Sequence, residues 1–231
     1  MAILICLPSS GSSSSLYSDW KPLLAAHNIT LYCPEYPGRG RRFTEPLPTS
    51  IPALVDDLIQ QLRTTLPSHE QYHLFGHSLG GLIAYELALQ IQQTPDLASP
   101  QSLVISASHA PHLRGDTQLK SDLSEQALIA LLKEMGGIKN EVLEHRELLE
   151  LLLPIIRSDL ALNDNYTRQD ITPLSCPITT IHGLSDPVVK QEKVIEWNQY
   201  TSDYQHIDWP GDHFYFQQNL KVFIENLVRL L

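Results

Sequence analysis

The stretch 71–81, QYHLFGHSLGG, constrains this chain more than any other. Residues 72–75 are strand-like, and residues 82–91 run on as a helix-like segment. Between them stands Gly76-His77-Ser78-Leu79-Gly80. A serine pinned at the tip of a strand-to-helix turn holds an unfavourable backbone conformation, at a cost of about 1–3 kcal/mol. The residues two before and two after it approach so closely that only a very small side chain fits, and Gly76 and Gly80 meet that demand. The turn lifts the Ser78 hydroxyl into the open above a helix N-terminus, whose free N–H groups favour a developing negative charge. Strand, sharp turn and helix in that order make Ser78 a candidate nucleophile.

The rest of the chain repeats the same alternation. Buried-strand patterns fall at 2–7, 29–33, 102–107, 177–182 and 204–209. Helical patterns fall at 16–27, at 54–62 behind a Ser50 cap and Pro52, at 188–200, and at 220–231. Strands alternating with helices imply an α/β fold, a parallel sheet covered on both faces. The alternation breaks once. Residues 113–162 offer two helical segments, 125–135 and 142–153, and no strand. Their leucines are too many for one buried stripe. The expectation is a single domain over 1–231 with a helical lid insertion at about 113–162 that lends apolar surface to the site.

Composition closes off other classes. A formal charge of −10 disfavours a nucleic-acid partner held by phosphate contacts. The three cysteines, Cys6, Cys33 and Cys176, lie far apart without C-x-x-C spacing and read as reduced, buried thiols. No stretch approaches a membrane span; the most apolar, 148–156, is interrupted by Glu150 and Pro154. No metal or cofactor motif is present. A cytoplasmic monomer is expected.

A serine hydroxyl needs a base, and the base needs an orienting carboxylate. In open parallel sheets reactive groups gather at the carboxyl ends of the strands. That rule selects His213, after the last strand and a Pro-Gly turn, with His109 and His112 as rivals after an earlier strand. His182 closes a strand and reads as packed. The order Ser, acid, His then selects Asp186, with Asp116 as the alternative. Asp186 precedes Pro187, so it also reads as a helix cap.

Several further features travel with these residues. They are Leu7-Pro8 with Gly11, Pro37-Gly38-Arg39-Gly40, Arg157-Ser158-Asp159 ahead of Tyr166, Cys176-Pro177-Ile178, Gly183 with Asp186, Trp197, and Gly211 with His213-Phe214. Together with Gly76-His77-Ser78-Leu79-Gly80-Gly81 they spread over most of the chain, and the sequence resembles the external (type II) thioesterases of non-ribosomal peptide and polyketide assembly lines. The resemblance implies the α/β-hydrolase fold and a Ser78, Asp186, His213 triad. It implies oxyanion donors on the backbone of Leu79 and Ser10. It also implies substrates held as acyl or aminoacyl thioesters on the phosphopantetheine arm of an acyl or peptidyl carrier protein. The chain departs from the family twice: Ser9-Ser10-Gly11-Ser12 stands where an aromatic-Ala-Gly-Gly loop is usual, and Asp212 stands where a second glycine usually precedes the histidine.

Carrier domains are often acidic, as this chain is, so docking is expected to use a local patch. Arg39, Arg41, Arg42, Arg114 and the apolar lid are the candidates. The same residues also fit a small-molecule carboxylesterase, an acyl-coenzyme A thioesterase, an acyltransferase, or a binding module on a non-catalytic hydrolase scaffold.

Overall fold

The computed structural model describes residues 2–66, 71–94, 96–114, 119–137, 142, 145–168 and 170–231. Six strands form one sheet: β1 (Ala2–Leu7), β2 (Ile29–Tyr32), β3 (Tyr72–His77), β4 (Leu103–Ser106), β5 (Ile178–Gly183) and β6 (Tyr204–Trp209). Their order is β2-β1-β3-β4-β5-β6, and every pairing is parallel. β1 shows why the sheet is covered twice. Ile3, Ile5 and Leu7 enter one core, while Leu4 and Cys6 enter the other, as the period-two alternation of a strand requires.

Helices α2 (Ile51–Thr65) and α3 (Leu79–Gln92) pack on the first face, with Leu54, Leu58, Leu82 and Leu87 buried among the strand residues. The Ser50 hydroxyl accepts the Ala53 N–H and so starts α2 as expected. The second face holds α1 (Trp20–Ala25) and α7 (Leu220–Leu227), where Trp20 meets Phe75 and Phe216, and Phe75 meets Phe223, edge to face. Between β4 and β5 lie α4 (Glu125–Glu134) and α5 (Arg146–Asp164), with no strand among the described residues there. Their buried residues, Leu128, Leu132, Leu153, Ile156 and Leu160, join the second core. Leu148 and Leu151 are exposed.

Several boundaries differ from the sequence expectation. α3 begins at Leu79, immediately after the serine, rather than at residue 82. α5 does not stop at residue 153 but continues through Pro154 to Asp164. A proline removes one backbone bond, and the buried face at Leu153, Ile156, Asp159 and Leu160 holds the helix across it. Residues 188–190 are not helical: a short α6 (Gln191–Ile195) begins later and tightens into a 3-10 turn, Glu196–Tyr200. The 16–27 segment divides into a 3-10 turn, Ser14–Tyr17, and α1. All three cysteines are free; Cys6 and Cys176 are buried, whereas Cys33 is only half-buried. No helix among the described residues is long and apolar enough to cross a membrane.

The elbow is held by contact between backbones. A Cβ added to Gly80 would lie 2.1 Å from the Leu7 carbonyl oxygen, and one added to Gly76 would lie 2.1 Å from the Gly80 carbonyl oxygen. Neither neighbour is a side chain that can swing away. Gly80→Ala is therefore expected to destabilise the fold by about 3 kcal/mol or more, read as a shift in the urea unfolding midpoint. An unchanged midpoint would mean that β1 and α3 can separate at little cost.

Candidate active site

Ser78 closes β3 with φ 56° and ψ −116°, outside the helical and strand regions. Its N–H donates to the Ser106 carbonyl (2.8 Å), and its own carbonyl accepts the Ser108 hydroxyl (2.6 Å). Both bonds tie the strained turn to the end of β4. Ala107, between those two serines, also has positive φ, 45°. Leu79 is the first residue of α3, so its N–H has no intrahelical acceptor.

Asp186 lies just past β5, where its N–H closes a turn on the Gly183 carbonyl (3.0 Å). Its Oδ1 accepts the N–H groups of Val188 (2.8 Å) and Val189 (3.0 Å), and its Oδ2 accepts His213 Nδ1–H (2.7 Å). Asp186 is thus not a helix cap, because α6 starts only at Gln191. Burial opposes its charge, yet the His213 bond and the two backbone N–H groups outweigh burial and hold the carboxyl below its usual range. Gly183 allows the pairing: a Cβ there would lie 2.2 Å from the Asp212 carbonyl oxygen, so the end of β5 and the turn before His213 are in contact. The Asp212 carboxylate accepts the Phe214 N–H (2.9 Å) and shapes that turn.

His213 is fully buried, and its Nε2 has no hydrogen-bond partner among the described residues. Donation from Nδ1 to a carboxylate leaves Nε2 as the basic nitrogen. Ser78, His213, Ser9, Ser10 and Gly11 line one cavity, roofed by Leu132, Met135, Leu152 and Ile156 of the α4–α5 segment. The structure therefore gathers Ser78, Leu79, Ser10, Asp186 and His213 at the carboxyl end of the sheet.

The rival histidines are engaged elsewhere. His109 Nε2 accepts the Lys190 N–H (3.2 Å), His112 Nδ1 meets the Tyr200 hydroxyl (2.9 Å), and His182 Nε2 donates to the Val189 carbonyl (2.9 Å). His77 points into the core, with Nδ1 on the Ser106 hydroxyl (2.9 Å) and its ring 4.9 Å from that of His213. Asp116 lies outside the described residues.

The loop after β1 is pinned from three sides. Gly11, at φ +74°, donates its N–H to Asp159 Oδ2 (2.8 Å). Asp159 is fully buried on α5 and forms a bidentate pair with Arg39 (2.6 and 2.7 Å), whose Nη1 also reaches the Ser12 carbonyl (3.3 Å). Buried Glu35 accepts both the N–H and the hydroxyl of Ser14 (2.9 and 2.8 Å). Positive φ falls on Gly11 and not on Ser12, so Ser12 does not need glycine's freedom. The sequence marked Arg39 and Asp159 through the Pro-Gly-Arg-Gly and Arg-x-Asp patterns without joining them. Nothing in it marked Glu35 or Ser108.

The arginine patch expected for docking is not a patch. Arg39 and Arg114 are buried, and Arg42 is paired with Asp57 (2.6 Å) and Glu45 (2.5 Å). Of the four, only Arg41 is exposed.

A parallel sheet whose third strand ends in a strained G-x-S-x-G turn, with an Asp-paired histidine after the last strand, defines the α/β-hydrolase class. Within that class the chain belongs to the thioesterase family: the family model described as "Thioesterase domain" matches residues 2–231. It is a thioester hydrolase. The chain is 32% identical over 215 residues to "Thioesterase PikA5" of Streptomyces venezuelae, covering 92% of this chain and 74% of that protein. Among solved structures it is similar to ClbQ from the colibactin NRPS/PKS pathway, with TM-score 0.89 and 32% identity over 98% of this chain and 95% of that one. It is also similar to YbtT, a type II thioesterase from the yersiniabactin NRPS/PKS biosynthetic pathway, with TM-score 0.85 and 30% identity over 99% and 91%.

Two outcomes follow from the buried charges. Burial and the neighbouring His213 push the His77 pKa well below its usual value; burial, then Arg114 and Lys193, push His109 down to about 3. Both stay neutral in the fold but protonate near pH 6.5 when unfolded, so the unfolded chain binds more protons and stability falls with pH below that value. The expected loss from His109 is about 1.4 kcal/mol per pH unit between pH 6.5 and 4, and His77 adds to it in the same direction. His109→Gln, which keeps an acceptor for Lys190, should lower the slope by about 1.4 kcal/mol per pH unit in urea titrations; an unchanged slope would refute it. Separately, Asp159→Asn strands the Arg39 guanidinium and is expected to lose about 3–5 kcal/mol, measured by the same unfolding assay.

Proposed function

We propose that the protein hydrolyses acyl thioesters held on the phosphopantetheine arm of acyl or peptidyl carrier domains, in the cytoplasm, through Ser78, His213 and Asp186. The observation that carries the catalytic part is the 2.7 Å bond from His213 Nδ1 to Asp186, which leaves Nε2 free in the cavity that Ser78 lines. The carrier part rests on the thioesterase family and on relatives drawn from NRPS/PKS pathways.

His213 Nε2 takes the Ser78 proton as the hydroxyl oxygen attacks the thioester carbon. Asp186 keeps the imidazole in the Nδ1–H tautomer and stabilises its cation. The N–H groups of Leu79 and Ser10 receive the oxyanion; losing one such donor costs about 2.7–4 kcal/mol. The tetrahedral adduct collapses, the C–S bond breaks, and the pantetheine sulfur leaves with the proton from His213. Water then attacks the acyl-serine, giving its proton to His213 as the acid departs and Ser78 is restored. The α4–α5 segment serves as the lid, with Leu132, Leu152 and Ile156 as its apolar lining.

Ser78→Ala is expected to abolish both acyl-enzyme formation and fluorophosphonate labelling, read by intact mass, while the circular dichroism spectrum is unchanged. Asp186→Asn is expected to lower kcat by about 10⁴-fold. Near wild-type turnover in Ser78→Ala would assign the nucleophile elsewhere. Matched oxygen esters, acyl-coenzyme A and acyl-carrier substrates, compared by kcat/KM, test the carrier assignment; equal values would sink it.

A further inference from the structure

Ser10 lines the cavity beside Ser78 without a backbone anchor of its own: among the described residues its N–H meets no acceptor. The placement of that N–H is inherited from its neighbours. The Ser12 N–H donates to the Ser9 carbonyl (3.1 Å), and Gly11 has the positive φ, +74°, that the third residue of a type II turn requires. A trans peptide is planar, so the Ser10 N–H points opposite to the Ser9 carbonyl. Whatever fixes the Ser9–Ser12 turn therefore aims the Ser10 N–H.

Two residues far off in sequence fix it. Asp159 Oδ2 accepts the Gly11 N–H (2.8 Å) and, on the same oxygen, Arg39 Nη1 (2.6 Å). Arg39 Nη1 also reaches the Ser12 carbonyl (3.3 Å), while Nη2 is occupied by Asp159 Oδ1 (2.7 Å). The guanidinium is steadied from another side by the Tyr36 ring, whose centroid lies 5.2 Å away. Arg39 is 2% exposed and Asp159 is 0% exposed. The helix that carries Asp159 presses on the same turn, since a Cβ added to Gly11 would lie 2.4 Å from Ile156 Cγ1. Desolvation cancels much of the attraction in a buried ion pair, so such a pair is a poor source of net stability. What this one supplies is direction: its hydrogen bonds hold two successive residues, Gly11 and Ser12, immediately after the donor.

We propose that Arg39 and Asp159 are positioning residues for the oxyanion donor: they hold the Ser9–Ser12 turn so that the Ser10 N–H faces the oxygen on which negative charge develops. The inference rests on the proposed oxyanion role of Ser10 and adds the pair that sets it. Neither side chain touches substrate. Without them the turn keeps its internal bond but can rock on its ends, and a donor displaced from the oxyanion loses most of its effect.

Ser10→Pro isolates the donor, because proline suits the second position of a type II turn but has no N–H. With butanoyl-pantetheine as substrate, Ser10→Pro is expected to lower kcat by about 10²–10³-fold with KM little changed. Arg39→Met combined with Asp159→Leu removes the clamp while filling its space, and apolar replacement of a buried pair commonly preserves stability. This variant is expected to lower kcat by at least about tenfold, again with KM little changed, at a urea midpoint no lower than that of the wild type. Added to Ser10→Pro, it should slow the enzyme no further, since one donor cannot be lost twice. Arg39→Lys keeps the buried charge balanced if the apolar pair does not fold; its smaller loss should also vanish in the Ser10→Pro background. A loss that persists in that background would overturn the proposal, because the pair would then act elsewhere. Either clamp variant at wild-type kcat would overturn it too, because the turn would hold itself. Ser10→Pro at wild-type kcat would instead remove Ser10 from the oxyanion hole, and this inference with it, while leaving Ser78, His213 and Asp186 in their roles.

Discussion

Everything at the reactive end of the molecule depends on three backbones meeting without side chains between them. The end of β1, the end of β3 and the start of α3 touch at Gly76 and Gly80, where an added Cβ would approach carbonyl oxygens to 2.1 Å. This contact holds Ser78 at φ 56° and ψ −116°, a conformation that costs about 1–3 kcal/mol unless its surroundings enforce it. The parallel register sets Leu7 opposite Gly76. The loop leaving β1 therefore begins beside the serine, and Ser10 and Leu79 line one cavity with Ser78.

Electrostatics then fixes what the backbone contact brings together. Asp159 on α5 accepts from Gly11 and pairs with Arg39, so one buried carboxylate joins the helix above the site, the turn after β2 and the loop after β1. Arg39 alone would be an expensive buried charge; with Asp159 it becomes a clamp. Arg114 is buried too, and its guanidinium donates to Asn163, Ser108 and the His109 carbonyl. The histidines follow the same logic. Asp186 keeps its charge despite burial and orients His213, while His77, packed against the His213 ring, stays neutral.

Much of the architecture was legible in the chain. All six strands read correctly to within two residues, because buried parallel strands carry short, uninterrupted apolar runs. Helix limits were harder to read. Pro154 suggested an end that tertiary packing overrides, and the start of α3 was hidden because Leu79 follows directly on a residue that is not helical. The arginines misled most. Arg39 and Arg114 look like surface charge, since sequence patterning does not tell a solvated arginine from one whose partner arrives from a distant segment.

The sequence by itself determined the strand–helix alternation, the glycine-flanked serine, and the order in which serine, acid and histidine follow the ends of successive strands. These are consequences of local period and local sterics, and they need no knowledge of distant contacts. Only the tertiary structure decided that Asp186 meets His213 across 27 positions, that Asp159 meets Arg39 across 120, and that Arg114 is buried. Those outcomes depend on which segments pack together and on how much water is left between them, and a linear pattern of residue types carries neither quantity.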